Sequence, residues 1–369
     1  MKIGLNATCF SSRPSGAKQR FVGIYNELFK LMPNDTFLVY EPVDFRVSEL
    51  FNFHDNVKFI PTSMKSSSRY SKFIYGIFFW KRIFDKEKFD IFETFNFPLF
   101  KGKSELSYLT VHDIRGYKFE NSFLKRFLYK FLYSYSLKKA DLVITVSEYM
   151  KSELLKVFPN LNIKVLVNGV NTNYLIEKFE DYSLKKNALF KDLKIPNDFM
   201  LTVGHFEPRK NYQRLIRAFK KISEIHGNIS LVIVGNDSGS LREIKLLLKK
   251  LNIEKKVFIL QSISDNDLEI LYRNALFFVF PSIYEGFGIP ILEAKKYDVL
   301  CLLSDIKVFR EIGGLDCQYF DPYDENEIAS AINDAIEQKF SLISMKFPQK
   351  YTFNQIAYEL RSIYKESIC

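Results

Sequence analysis

Short apolar runs recur along this chain, and the stretches between them are too long for hairpin turns. Leu142–Val146, Phe199–Val203, Ser230–Val234 and Phe277–Phe280 are nearly unbroken sequences of aliphatic and aromatic residues. Strands that alternate polar with apolar residues leave one face wet, whereas continuous apolar runs require cover on both faces. Further runs of this kind are Lys2–Asn6, Phe37–Tyr40, Val57–Ile60, Ile91–Phe92, Tyr108–Val111, Lys164–Val167, Val257–Leu260 and Val299–Leu303. Helical periodicity fills the intervals, as in Arg20–Leu31, Tyr212–His226 and Ser240–Lys250. Strand, long crossover, strand is the signature of a parallel sheet with helices on both sides.

The chain has 369 residues, more than one core usually serves, so two domains are expected. The apolar rhythm lapses over Asn168–Asp198, a polar stretch rich in Asn and Lys that reads as the linker region. The expected domains are therefore 1–175 and 176–352, with the helical tail 353–369 packing back on the first. The four cysteines, Cys9, Cys301, Cys317 and Cys369, show no paired spacing. They fit a reducing compartment and neither a zinc site nor a disulfide framework. The opening Met1–Asn6 reads as a strand, too short for a signal peptide, and no run of 18 apolar residues occurs, so a cytoplasmic chain is expected.

Chemistry concentrates at strand ends, where open α/β sheets bind ligands. After Phe277–Phe280 come Glu285, Gly286, Gly288 and then Glu293 on an apolar helix. Two carboxylates there can accept hydrogen bonds from sugar or ribose hydroxyls, and glycines let backbone N–H groups approach an anion. After Phe199–Val203 come Gly204, Arg209 and Lys210, just before a helix. Adjacent cations at a helix N-terminus suit a diphosphate. Ser11–Arg20, with Gly16, is a phosphate-loop candidate that matches neither the dinucleotide nor the Walker pattern. His112 ends the Tyr108–Val111 run, and it reads either as a structural imidazole or as a site residue. Asp265-Asn266-Asp267 looks like a metal-binding pair of acids, but Ser264 before it makes a helix N-cap with acids in the first turn the better reading.

Together these segments resemble glycosyltransferase family 4. The resemblance rests on the Glu285-x7-Glu293 spacing, on Gly204 through Arg209-Lys210-Asn211, on Asn168-Gly169-Val170, on Val143–Ser147 and on Val111-His112-Asp113. It implies a GT-B fold, two Rossmann-like domains with parallel sheets facing across a deep cleft. It implies a retaining, metal-independent hexosyl transfer from a nucleotide-diphosphate sugar. Arg209 and Lys210 would bind the diphosphate, Glu293 the ribose hydroxyls and Glu285 the donor sugar. Backbone N–H groups of Phe287, Gly288 and Ile289, together with Gly204, would lie along the donor. His112 would orient donor and acceptor. Gly16 would face the diphosphate, although this loop lacks the commoner double glycine. No cofactor beyond the donor is implied, and Val111–Gly116 most resembles mannosyltransferases, so a GDP-sugar is favoured over a UDP-sugar.

Charge separates the two halves. Residues 1–170 hold 26 Lys+Arg against 16 Asp+Glu, so this segment carries the whole net charge of +10. Cations alternate with aromatics in Lys72–Phe84 and Phe123–Tyr133, a composition suited either to the interface of an anionic membrane or to helices packed on their own sheet with lysines snorkelling. A glycan acceptor, lipid-linked and destined for a surface polysaccharide such as O-antigen or capsule, is the expected partner. The protein would then sit peripherally at the inner face of the plasma membrane. The rival readings are a nucleotide-sugar epimerase or hydrolase of the same architecture and a basic nucleic-acid-binding protein. Against the latter, no recognised nucleic-acid module is present, so no nucleic-acid partner is expected.

Overall fold

A computed structural model describes residues 1–66, 69–102, 106–118, 123–172, 179–338 and 347–368. Cys369, part of the expected linker (173–178) and the last few residues before the tail (339–346) lie outside the described residues. The chain divides into two compact units, one of Met1–Asn171 with Pro348–Cys369 and the other of Thr172–Phe347.

The first unit holds strands β1 (Lys2–Asn6), β2 (Thr36–Glu41), β3 (Val57–Pro61), β4 (Ile91–Thr94), β5 (Leu106–Val111), β6 (Leu142–Thr145) and β7 (Ile163–Val165). Its helices are α1 (Gly16–Leu31), α2 (Arg69–Lys86), α3 (Arg115–Lys118), α4 (Phe123–Lys139) and α5 (Glu148–Val157). All seven strands run parallel in the order β3-β2-β1-β4-β5-β6-β7.

The second unit holds β8 (Phe199–Val203), β9 (Ser230–Val234), β10 (Val257–Leu260), β11 (Phe277–Phe280), β12 (Cys301–Ser304) and β13 (Gln318–Phe320). Its helices are α6 (Phe179–Leu193), α7 (Tyr212–Ile225), α8 (Leu241–Leu251), α9 (Asp265–Asn274), α10 (Ile289–Lys296), α11 (Lys307–Gly313) and α12 (Glu325–Ile336). The sheet order is β10-β9-β8-β11-β12-β13, again all parallel. Its strand direction of growth reverses between β8 and β11. That reversal leaves a crevice beyond their carboxyl ends, because the two following loops turn to opposite faces.

The cores follow from the apolar pattern. Leu215, Ile216, Phe219 and Ile222 repeat at helical spacing on α7 and are all buried against β8, β9 and β11 residues such as Met200, Leu231 and Val279. In the first unit Phe21, Ile24, Leu28 and Phe29 of α1 do the same beside Ile3, Leu5 and Phe37. The last helix, α13 (Phe353–Glu366), returns to that same core through Ile356, Ala357, Leu360 and Tyr364. It is capped by Thr352, whose hydroxyl accepts from the Gln355 N–H.

The structure corrects the sequence reading in four places. The polar stretch read as linker contains helix α6. Gly16 is the first residue of α1, with Ser15 as its N-cap, and not part of a loop. Strand β13 was not foreseen. Cys301 and Cys317, without paired spacing in the sequence, become neighbours across β12 and β13. Ser264 caps α9 by accepting from the Asp267 N–H at 3.1 Å, which accounts for Asp265 and Asp267 as helix-start acids.

Candidate functional site

The crevice of the second unit gathers charges that lie about 75 residues apart in the sequence. After β8 the chain passes Gly204 at φ +156° and makes a 3-10 turn over Pro208–Lys210. Asn211 then takes a left-handed conformation at φ 59°, donates its side-chain N–H to the Pro322 carbonyl at 2.7 Å and starts α7. Gly204 is needed because the Lys210 side chain lies over it. A Cβ there would sit 2.8 Å from Lys210 Cε and 3.0 Å from the Tyr212 hydroxyl. That hydroxyl donates to the Gly204 carbonyl at 2.7 Å.

After β11 the chain turns through Ser282–Gly288 into α10. The two loops are joined by backbone, the Ile283 N–H donating to the Arg209 carbonyl at 2.9 Å. They are also joined by charge. Arg209 Nη1 lies 2.7 Å from Glu285 Oε2, and Lys210 Nζ lies 2.7 Å from Glu285 Oε1. Arg209 further donates from Nε to Glu207 at 2.8 Å and from Nη1 to the Tyr284 carbonyl at 3.1 Å. Lys210 Nζ stands 4.7 Å over the Phe280 ring. The cluster is nearly sealed, with side-chain exposures of 17 % for Arg209, 7 % for Lys210 and 12 % for Glu285.

Low dielectric sharpens these couplings. Burial pushes the Glu285 carboxyl up, but Lys210 and Arg209 outweigh it and hold the group at about 2. Burial pulls at Arg209 too, yet Glu285 and Glu207 raise it above its ordinary value. For Lys210 burial prevails over Glu285 and leaves the ammonium below its usual range. Two cations thus share one carboxylate, and the guanidinium has a second in Glu207.

Glu293 sits in the second turn of α10, half-buried, and accepts from the Tyr272 hydroxyl at 2.9 Å. Burial raises its pKa. The helix begins at Ile289, after Gly288 at φ +110°, a conformation that favours glycine. Gly288 and Ile289 therefore place their N–H groups at a helix start, with Phe287 buried just before.

The remaining predicted residues lie in the first unit. His112 follows β5, with its Nε2 shut off from solvent and without a hydrogen-bond partner among the described residues. Burial, reinforced by the nearby Arg20 guanidinium, pushes the imidazole down to about 3, so it is neutral. Gly16 lies at the start of α1.

Sequence reading missed the buried charges around His112. Arg20 is 2 % exposed and donates to the Leu166 carbonyl at 2.8 Å. Glu93 is 1 % exposed and accepts from Tyr25 (2.7 Å), Tyr364 (2.6 Å) and Thr110 (2.6 Å). A lone acid in the apolar strand β4 was the available signal. Glu207, two residues before Arg209, was also missed.

One surface stands out in the first unit. On α4, Phe123 (86 %), Leu124 (76 %), Phe127 (63 %), Leu128 (42 %) and Phe131 (52 %) are exposed along a single helical face, with exposed Arg126 and Lys130 interleaved. The other aromatic and basic segment behaves differently. Trp80 of α2 is buried against Tyr40 and Phe92, and among the described large apolar side chains of this helix only Ile77 and Phe78 are exposed. No helix among the described residues is long and apolar enough to cross a membrane.

Two family descriptions match successive stretches of the chain. Residues 37–174 match "Glycosyltransferase Family 4", and residues 185–354 match "Glycosyl transferases group 1". The O-antigen chain mannosyltransferase RfbU of Salmonella typhimurium is 33 % identical over 252 residues, 67 % of this chain and 66 % of that protein. The serotype-specific mannosyltransferase WbdA of Escherichia coli is 28 % identical over 205 residues, 54 % of this chain but only 25 % of that much longer protein. The crystal structure of a glycosyltransferase from Rickettsia africae ESF-5 superposes with a TM-score of 0.74 at 19 % identity, covering 99 % of this chain and 98 % of that one.

Proposed function

This chain belongs to glycosyltransferase family 4 and has the GT-B fold, and we propose that it transfers mannose or a similar hexose, with retention, from a nucleotide-diphosphate sugar to a growing surface polysaccharide. The observation that carries the reading is the Arg209–Lys210–Glu285 cluster at the switch point of the second sheet. Breaking the anomeric C–O bond throws negative charge onto the leaving phosphate. Cations already fixed beside it stabilise that charge more than they stabilise the ground state. Glu285 pairs with both cations. A bound diphosphate would take over that pairing and release the Glu285 carboxylate to accept from hydroxyls of the donor sugar. Glu293, on the adjacent helix, would accept from the ribose.

His112, neutral through burial, suits an orienting role by hydrogen bonding rather than by charge. The names of the Salmonella and E. coli relatives, both mannosyltransferases, support mannose as the sugar, and we favour a GDP-sugar as donor. The same names support an O-antigen-like acceptor. We infer that the acceptor is lipid-linked and that α4 rests on an anionic leaflet. Its apolar ridge would enter the interface while Arg126 and Lys130 meet headgroups.

The test is an incubation of the purified protein with GDP-mannose and a polyprenyl-diphosphate oligosaccharide, with products read by mass and by anomeric NMR coupling. A hexose-extended acceptor with the donor's anomeric configuration supports the reading. Donor hydrolysis or epimerisation indifferent to acceptor would replace it with the epimerase or hydrolase reading.

A further inference from the structure

Outside the charged crevice, the most reactive juxtaposition in the second unit is a pair of thiols. Cys301 opens β12, and Cys317 immediately precedes β13. The register pairs Leu302 with Gln318, so the two cysteines stand on the next rung of the same parallel ladder. Neighbouring strands run about 4.8 Å apart, and paired residues point to the same face, which lies inside the separation that a disulfide spans. Both thiols are reduced, and each donates to a backbone carbonyl, Cys301 to Val299 at 3.4 Å and Cys317 to Gly313 at 3.3 Å.

We propose that Cys301 and Cys317 form a peroxide-sensitive modification site, a dithiol that closes to a disulfide and stitches β13 to β12. Their environments divide the labour. Cys317 is half-buried, and Cys301 is 1 % exposed. The neighbouring Cys301 lowers the Cys317 thiol against its partial burial, with Lys295 assisting, whereas the Cys317 sulfur and burial push the Cys301 thiol up. The thiolate is the nucleophile. Cys317 therefore attacks the peroxide O–O bond, becomes a sulfenic acid and expels hydroxide. The Cys301 sulfur then attacks the Cys317 sulfur, forming the S–S bond and releasing water as its proton is taken up. Overall the two thiols lose two hydrogens and one hydrogen peroxide becomes two waters.

The link would close a loop of about fifteen residues containing α11. From that helix Phe309 stacks on Phe280 with centroids 4.8 Å apart, and Phe280 carries Lys210 on its ring. The stitch thus stiffens a segment one layer behind the charged crevice.

The experiment uses the full chain with Cys9→Ser and Cys369→Ser, so that only the pair remains. Brief hydrogen peroxide should remove about 2 Da, yield a Cys301–Cys317 linked peptide and raise Tm by several degrees, all reversed by dithiothreitol. Cys301→Ser, which keeps a polar hydrogen beside Cys317 but removes the resolving sulfur, should stop at a Cys317 sulfenic acid trapped by dimedone. Cys317→Ser, altered at the more exposed position, should leave Cys301 unreacted. Two thiols still alkylatable after peroxide, or Cys317 passing to the sulfinic acid with Cys301 intact, would overturn the proposal.

Discussion

At the scale of single residues, the account turns on a carboxylate that holds two cations in readiness. Glu285, with Glu207, neutralises Arg209 and Lys210 in a nearly dry crevice, where a lone charge of either sign would be costly. Lys210→Ala or Arg209→Ala should lower kcat by on the order of 10²-fold or more, as the loss of one preorganised donor to a developing anion does. The far-ultraviolet CD should be unchanged, since Glu285 keeps one cation in either variant. Equal turnover in both variants would remove the diphosphate role. His112 makes a separate prediction through pH. Its folded pKa, about 3, lies below the 6.5 of an unfolded histidine, so the unfolded chain binds the extra proton first. Stability from this group is present above pH 6.5 and is lost as pH falls from there toward 3. Urea midpoints of His112→Asn should fall less steeply than those of the natural chain between pH 6.5 and 5, and parallel slopes would contradict the assignment. Both sets of residues were legible as strand-end chemistry. Their partners were not, because Glu285 meets Arg209 only after two separate β-loop-α units have been laid side by side.

At the scale of elements, periodicity located most strands but failed where burial is weak. β13 is a three-residue edge strand, Gln318–Phe320, only partly buried, so no apolar run announced it. α6 hid in a polar, Lys-rich stretch because much of its surface is exposed. Gly16 read as the end of a phosphate loop just before a helix, whereas it is the first helical residue behind the Ser15 cap, where the helix penalty of glycine is small. The tail's return was expected, but not its polar anchor. Tyr364 of α13 donates to the buried Glu93 at 2.6 Å, beside Tyr25. Tyr364→Phe leaves a buried carboxylate one donor short and should cost about 1–3 kcal/mol, read as a lowered urea midpoint with unchanged slope. An unchanged midpoint would mean that apolar packing of Ile356 and Leu360 alone secures α13.

At the scale of the whole molecule, charge and apolar exposure coincide. The segment 1–170 holds the entire net charge of +10, and the same unit exposes the α4 ridge. Composition suggested two membrane-facing segments, and only the folded chain separates them, because Trp80 turns inward with its core neighbours Tyr40 and Phe92. Flotation should show binding to anionic vesicles at low salt, weakened at high salt and lost in Phe127→Glu/Phe131→Glu. Flotation of that double variant at the natural level would sink the α4 assignment. The central claim, however, is that Arg209 and Lys210 receive a nucleoside diphosphate. The direct measurement is calorimetric titration of GDP, and of UDP and ADP for comparison, in EDTA into the natural chain and Lys210→Ala. One diphosphate should bind the natural chain without metal, and Lys210→Ala should weaken it at least about tenfold, or about 1.4 kcal/mol. Equal affinity in the two proteins would contradict the claim.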